Sequence, residues 1–152
     1  MDDGPKIALF EPDIPQNTAA IIRTCACLGA KLEIIEPCGF LLNDKRFKRV
    51  VMDYMDKKHI KFFKSSDDFL KAKIGHRIVL MTTKASISYT KFKFQKYDTI
   101  LFGRESAGVP NSFHKIIKNQ LKIPMKNNKR SLNIASSVAI ILAESLKQNK
   151  LI

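Results

Sequence analysis

Arg23 is the residue of this sequence whose type and surroundings most directly suggest chemistry. It lies six residues after Asn17, in a stretch with helical spacing that is otherwise rich in alanine, isoleucine and cysteine. A cation in so apolar a helix needs either an anionic partner or a route to solvent. Two interpretations stay open: an ion pair with a carboxylate such as Glu105, or a guanidinium that clamps a substrate phosphate. Asn17 could cap the same helix.

Three polar loops follow predicted strands and could hold a ligand. They comprise residues 11–17, residues 103–110 and residues 124–133. In parallel α/β sheets, ligands bind where loops leave the carboxyl ends of strands. Gly103 and Gly108 allow the backbone of the second loop to approach a ligand closely. An adenosine-type ligand held by backbone amides and carbonyls would suit these loops.

Several familiar sites are absent from the sequence. It has no G-x-G dinucleotide motif, no Gly-Lys-Ser/Thr phosphate loop and no G-x-S-x-G nucleophile motif. The three cysteines do not complete a zinc pattern with any histidine, so we expect no metal and interpret Cys25, Cys27 and Cys38 as reduced packing thiols. The scattered histidines are expected on the surface: His59, His76 and His114.

The composition favours a basic, globular domain. The 152 residues carry 27 Lys and Arg against 14 Asp and Glu, a formal net charge of +13, and 45% are hydrophobic. We expect one domain without a signal peptide or membrane span, located in the cytoplasm. The charge reflects either a solvated lysine-rich surface or a polyanionic partner. Residues 44–49 favour a polyanionic partner, since four of these six residues are basic.

Strand-like and helical stretches alternate along the chain. The apolar runs predict strands at 6–10, 32–35, 60–63, 77–82, 99–102 and 122–123. Helical spacing and capping residues predict helices at 17–28, 44–55, 66–72, 112–119 and 132–147. Such alternation predicts an α/β fold with a mostly parallel sheet flanked by helices.

The three loops in this order resemble the SPOUT superfamily of RNA 2′-O-methyltransferases. The resemblance rests on residues 15–24 (PQNTAAIIRT), 102–110 (FGRESAGVP), 123–125 (IPM) and 130–135 (RSLNIA), and it covers essentially the whole chain. It implies one domain over residues 1–152, a deep C-terminal trefoil knot at roughly 77–152, and S-adenosyl-L-methionine as cofactor.

Within that superfamily the chain is most similar to the small tRNA (cytidine/uridine-34) 2′-O-methyltransferases. The similarity extends to residues 35–40 (IEPCGF), 44–46 (DKR) and 52–54 (MDY). It implies methylation of the wobble ribose of leucine tRNAs by a homodimer. The alternatives are another tRNA or ribosomal RNA site, or a non-catalytic RNA-binding module. Ala143 departs from the tyrosine that members often carry there.

The resemblance also implies roles for individual residues. Arg23 and Asn17 would act at the target hydroxyl. The cofactor would contact Met81, Thr82, Gly103, Glu105, Gly108, Ile123, Met125, Ser131, Leu132, Asn133 and Ala135. RNA would contact Lys45, Arg46, Lys48, Arg49 and Arg130. The small residues expected to allow close packing of the first and last helices between two subunits are Ala19, Ala20, Ala135 and Ala139.

Overall fold

The computed structural model describes residues 4–54, 58–126 and 132–152. Within these ranges it contains seven strands, five α-helices and one short 3-10 helix at Tyr89–Lys91. The strands are β1 (Lys6–Phe10), β2 (Lys31–Ile35), β3 (Ile60–Phe63), β4 (Ile78–Met81), β5 (Ile87–Ser88), β6 (Thr99–Phe102) and β7 (Asn119–Lys122). The α-helices are α1 (Pro15–Leu28), α2 (Lys45–Tyr54), α3 (Ser66–Ala72), α4 (Asn111–Ile116) and α5 (Ile134–Gln148).

One sheet joins all seven of these strands, in the order β3-β2-β1-β6-β4-β7-β5. Every pairing between them is parallel. In the centre, Leu9 of β1 lies opposite Ile34 of β2 and Phe102 of β6. The parallel α/β sheet predicted from the strand–helix alternation is therefore confirmed.

Helices cover both faces of the sheet, which explains why the central strands are apolar along their whole length. Ile7 and Leu9 face one side, where the largest apolar cluster includes residues of α1 and α5. Ala8 and Phe10 alternate to the other face and belong to the cluster that contains Phe113 of α4. No helix in the described ranges is long and apolar enough to span a bilayer.

Several predicted boundaries were wrong, because local pattern does not reveal strand pairing or loop geometry. The helix expected at 112–119 ends at Ile116, and Asn119 instead begins β7 by pairing with β4. The two-residue strand β5 was missed, since it forms only beside β7. Asn17 is not a cap: α1 begins at Pro15, whose fixed φ suits a first helical position.

Two of the three cysteines pack against the core, as predicted, whereas Cys27 does not. Cys25 is fully buried under α1, and burial raises the pKa of its thiol to about 12. Cys38 is half-buried, and burial together with nearby carboxylates raises its pKa to about 11. Cys27 is exposed, and all three thiols are free.

A buried ion pair ties the end of α3 to the sheet. Lys73 Nζ lies 2.6 Å from Glu33 Oε1 of β2, and both side chains are 6% exposed. Burial lowers the pKa of Lys73, while the Glu33 carboxylate opposes that shift. Each charge is therefore tolerated here because the other is present.

Removing one partner of this pair should destabilise the fold strongly. Glu33→Ala leaves the Lys73 ammonium buried without its carboxylate, which we expect to cost about 3 kcal/mol of unfolding free energy. Urea denaturation measures the change. The double variant Glu33→Leu/Lys73→Met should lose much less, and equal losses in the two proteins would contradict this account.

Candidate active site

A cavity of about 530 Å³ opens at the carboxyl ends of β4, β6 and β7. Each of these strands contributes its last residue: Met81, Phe102 and Lys122. The remaining walls are the loops that follow the strands, Ile14 and Asn17 at the start of α1, His114 of α4, and the first residues of α5. Its position and volume are those of a small-molecule site in a parallel sheet.

The turn at residues 103–108 forms one wall of this cavity. Arg104 N–H donates to the Gly108 carbonyl at 3.2 Å, and Gly108 N–H donates back to the Arg104 carbonyl at 2.8 Å. Gly108 has φ +68°, and a Cβ on Gly103 would lie 2.6 Å from Gly108 backbone atoms. The two glycines are required because the turn folds its backbone directly onto itself.

Asp13 connects this turn to the loop that follows β1. Its backbone N–H donates to Glu105 Oε2 at 3.0 Å. Its carboxylate accepts a hydrogen bond from Ser106 Oγ and lies 3.5 Å from Arg104 Nε. Three consecutive residues of the turn therefore converge on one residue that stands just before α1. Sequence reasoning missed Asp13, because its partners are more than 90 positions away.

The two carboxyl groups at this junction have pKa values shifted in opposite directions. Burial raises the pKa of Glu105, and the neighbouring Asp13 carboxyl raises it further. The side chains of Glu105, Ser106 and Arg104 hold the pKa of Asp13 below its usual value, although burial opposes them. The Glu105 carboxyl is therefore harder to ionise than the Asp13 carboxyl.

A second contact connects α1 to the loop before α5. Asn133 Nδ2 donates to Asn17 Oδ1 at 3.0 Å, and both residues line the cavity. Asn133 Oδ1 also accepts from the backbone N–H groups of Ala135 and Ser136, so it caps α5 as predicted. The start of α1 is thus joined both to the 103–108 turn and to the cap of α5.

Nine of the predicted cofactor residues line the cavity together: Met81, Thr82, Gly103, Glu105, Gly108, Ile123, Met125, Leu132 and Asn133. Ala135 is not among the lining residues, and its N–H donates to Asn133 Oδ1 in the α5 cap. Ser131 and Arg130 lie outside the described residues.

Arg23 and Asn17 are separated by the structure. Asn17 lines the cavity, whereas Arg23 is not a lining residue and is exposed on α1. Arg23 therefore has the route to solvent that its apolar helix demands. Arg23 follows Ala20 by three residues and Ala19 by four, so these three residues share one side of the helix.

The basic residues of α2 form an exposed surface away from the apolar core. Lys45, Arg46, Lys48 and Arg49 are all exposed, while Phe47 between them is buried. The Asp44 carboxylate accepts hydrogen bonds from the N–H groups of Arg46 and Phe47, which stabilises the start of this helix. The predicted amphipathic pattern of α2 is confirmed.

Two lysines and one histidine at the cavity were not predicted. Lys84, Lys122 and His114 all line it. His114 was expected on the surface, yet it is half-buried, with Nδ1 3.4 Å from Gln120 Oε1. The position of His114 shortly after the glycine turn was the feature of the sequence that could have indicated its place at the cavity. His59 and His76 are exposed, as predicted.

Metal ligands are not grouped in the described ranges. Nowhere in residues 4–54, 58–126 and 132–152 do three His, Cys, Asp or Glu side chains come together in a way that could hold a metal ion. The cavity instead presents glycine backbone, apolar side chains and a few polar groups, a combination suited to an organic ligand.

Solved structures share this fold. A structure concerned with 2-OH methylation of C/U34 on tRNA matches with a TM-score of 0.88 at 34% identity, over 97% of each chain. An AdoMet-bound rRNA methyltransferase from Sinorhizobium meliloti matches with a TM-score of 0.85 at 22% identity, over 97% of this chain and 57% of that one. The second likeness shows a common fold.

The chain belongs to the SpoU rRNA Methylase family, whose model matches residues 5–143. Among its relatives, a tRNA (cytidine(34)-2′-O)-methyltransferase from Beijerinckia indica is 44% identical, over 93% of this chain and 90% of the relative. A protein of the same name from Escherichia coli K12 is 35% identical, over 93% and 92% respectively.

The self-contact of the glycine turn gives a prediction about stability. Gly103→Ala places a Cβ against the Gly108 backbone, which cannot move aside without opening the turn, and should cost about 3 kcal/mol. Gly108→Asn is the matched control: nothing lies within 4 Å of its Cβ. Asparagine tolerates positive φ, so the cost should stay near 1 kcal/mol. Thermal unfolding compares the two, and equal destabilisation would refute the steric explanation.

Proposed function

We propose that this protein transfers a methyl group from S-adenosyl-L-methionine to the ribose 2′-hydroxyl of nucleotide 34 in tRNA. The observation that carries the proposal is the cavity at the carboxyl ends of β4, β6 and β7, built by the three loops that the sequence singled out. The relatives that share these loops over more than nine-tenths of the chain are named for this reaction.

The residues around the cavity fit such a cofactor. Ile123, Met125 and Leu132 supply apolar surface for an adenine ring, and the 103–108 turn supplies backbone groups at close range. Glu105 and Asn133 add polar groups that can orient a ribose or an amino-acid tail. The sulfonium of the bound cofactor supplies an activated methyl group, and the protein's task is to align it with the hydroxyl.

Arg23 is proposed to act on the RNA beside the cavity of a second subunit. It lies on the exposed side of α1 with Ala19 and Ala20 and does not line its own cavity. A guanidinium can hold a phosphate in a defined orientation and can assist removal of the hydroxyl proton. A two-fold homodimer that packs α1 and α5 of one chain on those of the other would bring Arg23 to the partner's cavity.

The exposed basic surface of α2 is proposed to bind the tRNA backbone. Its four cations lie on a helix that packs on α1, so the surface is adjacent to the helix that carries Arg23. Phosphate contacts of this kind supply affinity and register without reading sequence. Arg130, from its place in the third loop, is expected to add to them.

The proposal also includes what the resemblance implies about domain extent, topology, tRNA species and location. We infer one domain over residues 1–152, a trefoil knot within roughly 77–152, and leucine tRNAs as substrates in the cytoplasm. The strand order supports the knot. In the sheet, β6 lies between β1 and β4, and β7 lies between β4 and β5. The chain then continues into α5, which packs on α1. Ser131 is expected to complete the cofactor site.

Methyl transfer to a defined tRNA tests the function. Purified protein and labelled cofactor should modify a leucine tRNA at nucleotide 34, as located by mass spectrometry of nuclease fragments, in EDTA as well as without it. The same tRNA with a 2′-deoxy nucleotide at position 34 should accept nothing. Methylation at another tRNA nucleotide, or of ribosomal RNA only, would show that nucleotide 34 is not the target. Cofactor binding without any transfer would favour a binding module.

Subunit mixing tests where Arg23 acts. Arg23→Ala should abolish turnover while leaving cofactor affinity within about threefold, since the residue lies outside its own cavity. Leu132→Trp should block the cavity from a 40%-exposed position without straining the backbone. Heterodimers of the two inactive variants should regain part of the activity, because one of their two sites is intact.

Arg23→Lys is the control for the role of the guanidinium, because it keeps the charge but loses the planar fork. The turnover of Arg23→Lys should stay well below that of the wild type. Failure of mixed subunits to recover any activity, with dimers confirmed by sedimentation, would place Arg23 in the site of its own chain.

A further inference from the structure

His114 lines the cavity, and the function proposed above gives it no role. It lies on α4, and its side chain is half-buried. Its Nδ1 lies 3.4 Å from Oε1 of Gln120, the second residue of β7. One edge of the imidazole ring is therefore held by a strand that ends at the cavity.

The side-chain amide of Gln120 can face this ring in only one orientation. Its Nε2 donates to the backbone carbonyl of His114 at 2.7 Å and to that of Ile117 at 2.8 Å. Turning the amide over would bring its oxygen against these two carbonyl oxygens, and all three can only accept. Oε1 is therefore the atom that faces His114, and it needs a donor.

The orientation of Gln120 decides which nitrogen of the His114 ring carries the hydrogen. A neutral imidazole has one N–H and one nitrogen with a free lone pair. Since Gln120 Oε1 accepts, Nδ1 is the donor, and Nε2 keeps its lone pair. Within residues 4–54, 58–126 and 132–152, no group forms a hydrogen bond with this Nε2. The wall of the cavity therefore offers a hydrogen-bond acceptor at His114.

This acceptor lies beside the part of the cavity that suits a purine ring. From Gln120 the chain continues through Lys122 to Ile123 and Met125, the apolar residues against which the proposed function places the adenine. Gln120 and Ile123 are three residues apart, about 10 Å of extended backbone. A histidine side chain and a purine placed edge to edge can span this distance.

Adenine is the purine that an acceptor at this position favours. Its exocyclic amine donates hydrogen bonds, whereas guanine carries at the same ring position an oxygen that can only accept. Lys84 and Lys122 also line the cavity, but an ammonium group has no acceptor for an amine. Glu105 and Asn133 do carry oxygens, but hydrogen bonds hold both to residues 13 and 17, around the start of α1.

We propose that His114 determines the specificity of the cavity for adenine: its Nε2 accepts a hydrogen bond from the exocyclic amine of the cofactor. Gln120 is a positioning residue that acts through His114, because it fixes the tautomer with a free Nε2. The inference rests on the proposed function, which supplies the adenosine ligand, and it adds the side chain that reads the base.

The tautomer can be observed without any ligand. The chain has three histidines, so a protein labelled with ¹⁵N in its imidazole rings gives few signals to assign. At about pH 8, where free histidine is neutral, ¹⁵N–¹H correlation spectra distinguish the two nitrogens of each ring. His114 should be the Nδ1–H tautomer, with the exposed His59 and His76 as references. Gln120→Met should turn His114 into a mixture of tautomers. An Nε2–H tautomer at His114 in the wild type would overturn the proposal.

Calorimetry with two ligands tests the contact with the amine. The ligands are S-adenosylhomocysteine and its analogue whose purine lacks the 6-amino group. For the wild type, the Kd of the analogue should be about fivefold higher or more, because one hydrogen bond is lost. His114→Asn keeps an N–H for Gln120 but has no acceptor at the position of Nε2, so the ratio of the two Kd values should fall by about threefold or more. In His114→Gln the amide oxygen can reach the position of Nε2, and the ratio should be partly restored.

His59→Asn is the matched control, because it makes the same substitution at an exposed position and should retain the wild-type ratio. Equal ratios in the wild type and in His114→Asn would overturn the proposal. So would an equal loss of affinity for both ligands in His114→Asn, which would indicate packing alone. If the wild type binds neither ligand, the proposed function fails, and the assignment of His114 fails with it.

Discussion

The contact between Asp13 and the 103–108 turn is the interaction on which the rest of the site depends. The loop after β1 and the loop after β6 are distant in sequence. Their strands are neighbours in the sheet, which brings Asp13 within reach of Arg104, Glu105 and Ser106. Once joined, the turn forms one wall of the cavity, and the helix that begins two residues after Asp13 has a defined direction.

The parallel sheet makes this convergence possible. Because all seven described strands run the same way, the loops that follow β1, β4, β6 and β7 emerge at one edge. Burial on both faces forces the central strands to be apolar, so polar chemistry is confined to the ends. The charges that remain inside are paired, as Lys73 is with Glu33. The cavity is therefore the place where polar groups can bind a ligand.

The candidate ligand, catalytic and RNA-contacting residues are distributed over different surfaces. The cavity holds the candidate cofactor residues, α1 presents Arg23 to solvent, and α2 presents the basic cluster. In the proposed dimer, one subunit supplies what the other lacks. Asn17 and Asp13, at the start of α1, are the residues that connect the cavity to that outer surface.

The sequence by itself determined the α/β class, the positions of five of the strands, the amphipathic α2 and the three loops that form the cavity. These features depend on local periodicity, on glycine and proline, and on motifs, all of which act over a few residues. The tertiary structure alone decided the pairing of β5 and β7, the role of Asp13 and the inward position of His114. It also decided that Arg23 is exposed on α1 and does not line the cavity of its own chain. These properties depend on partners that meet only after the chain has folded, and spacing along the sequence carries no record of them.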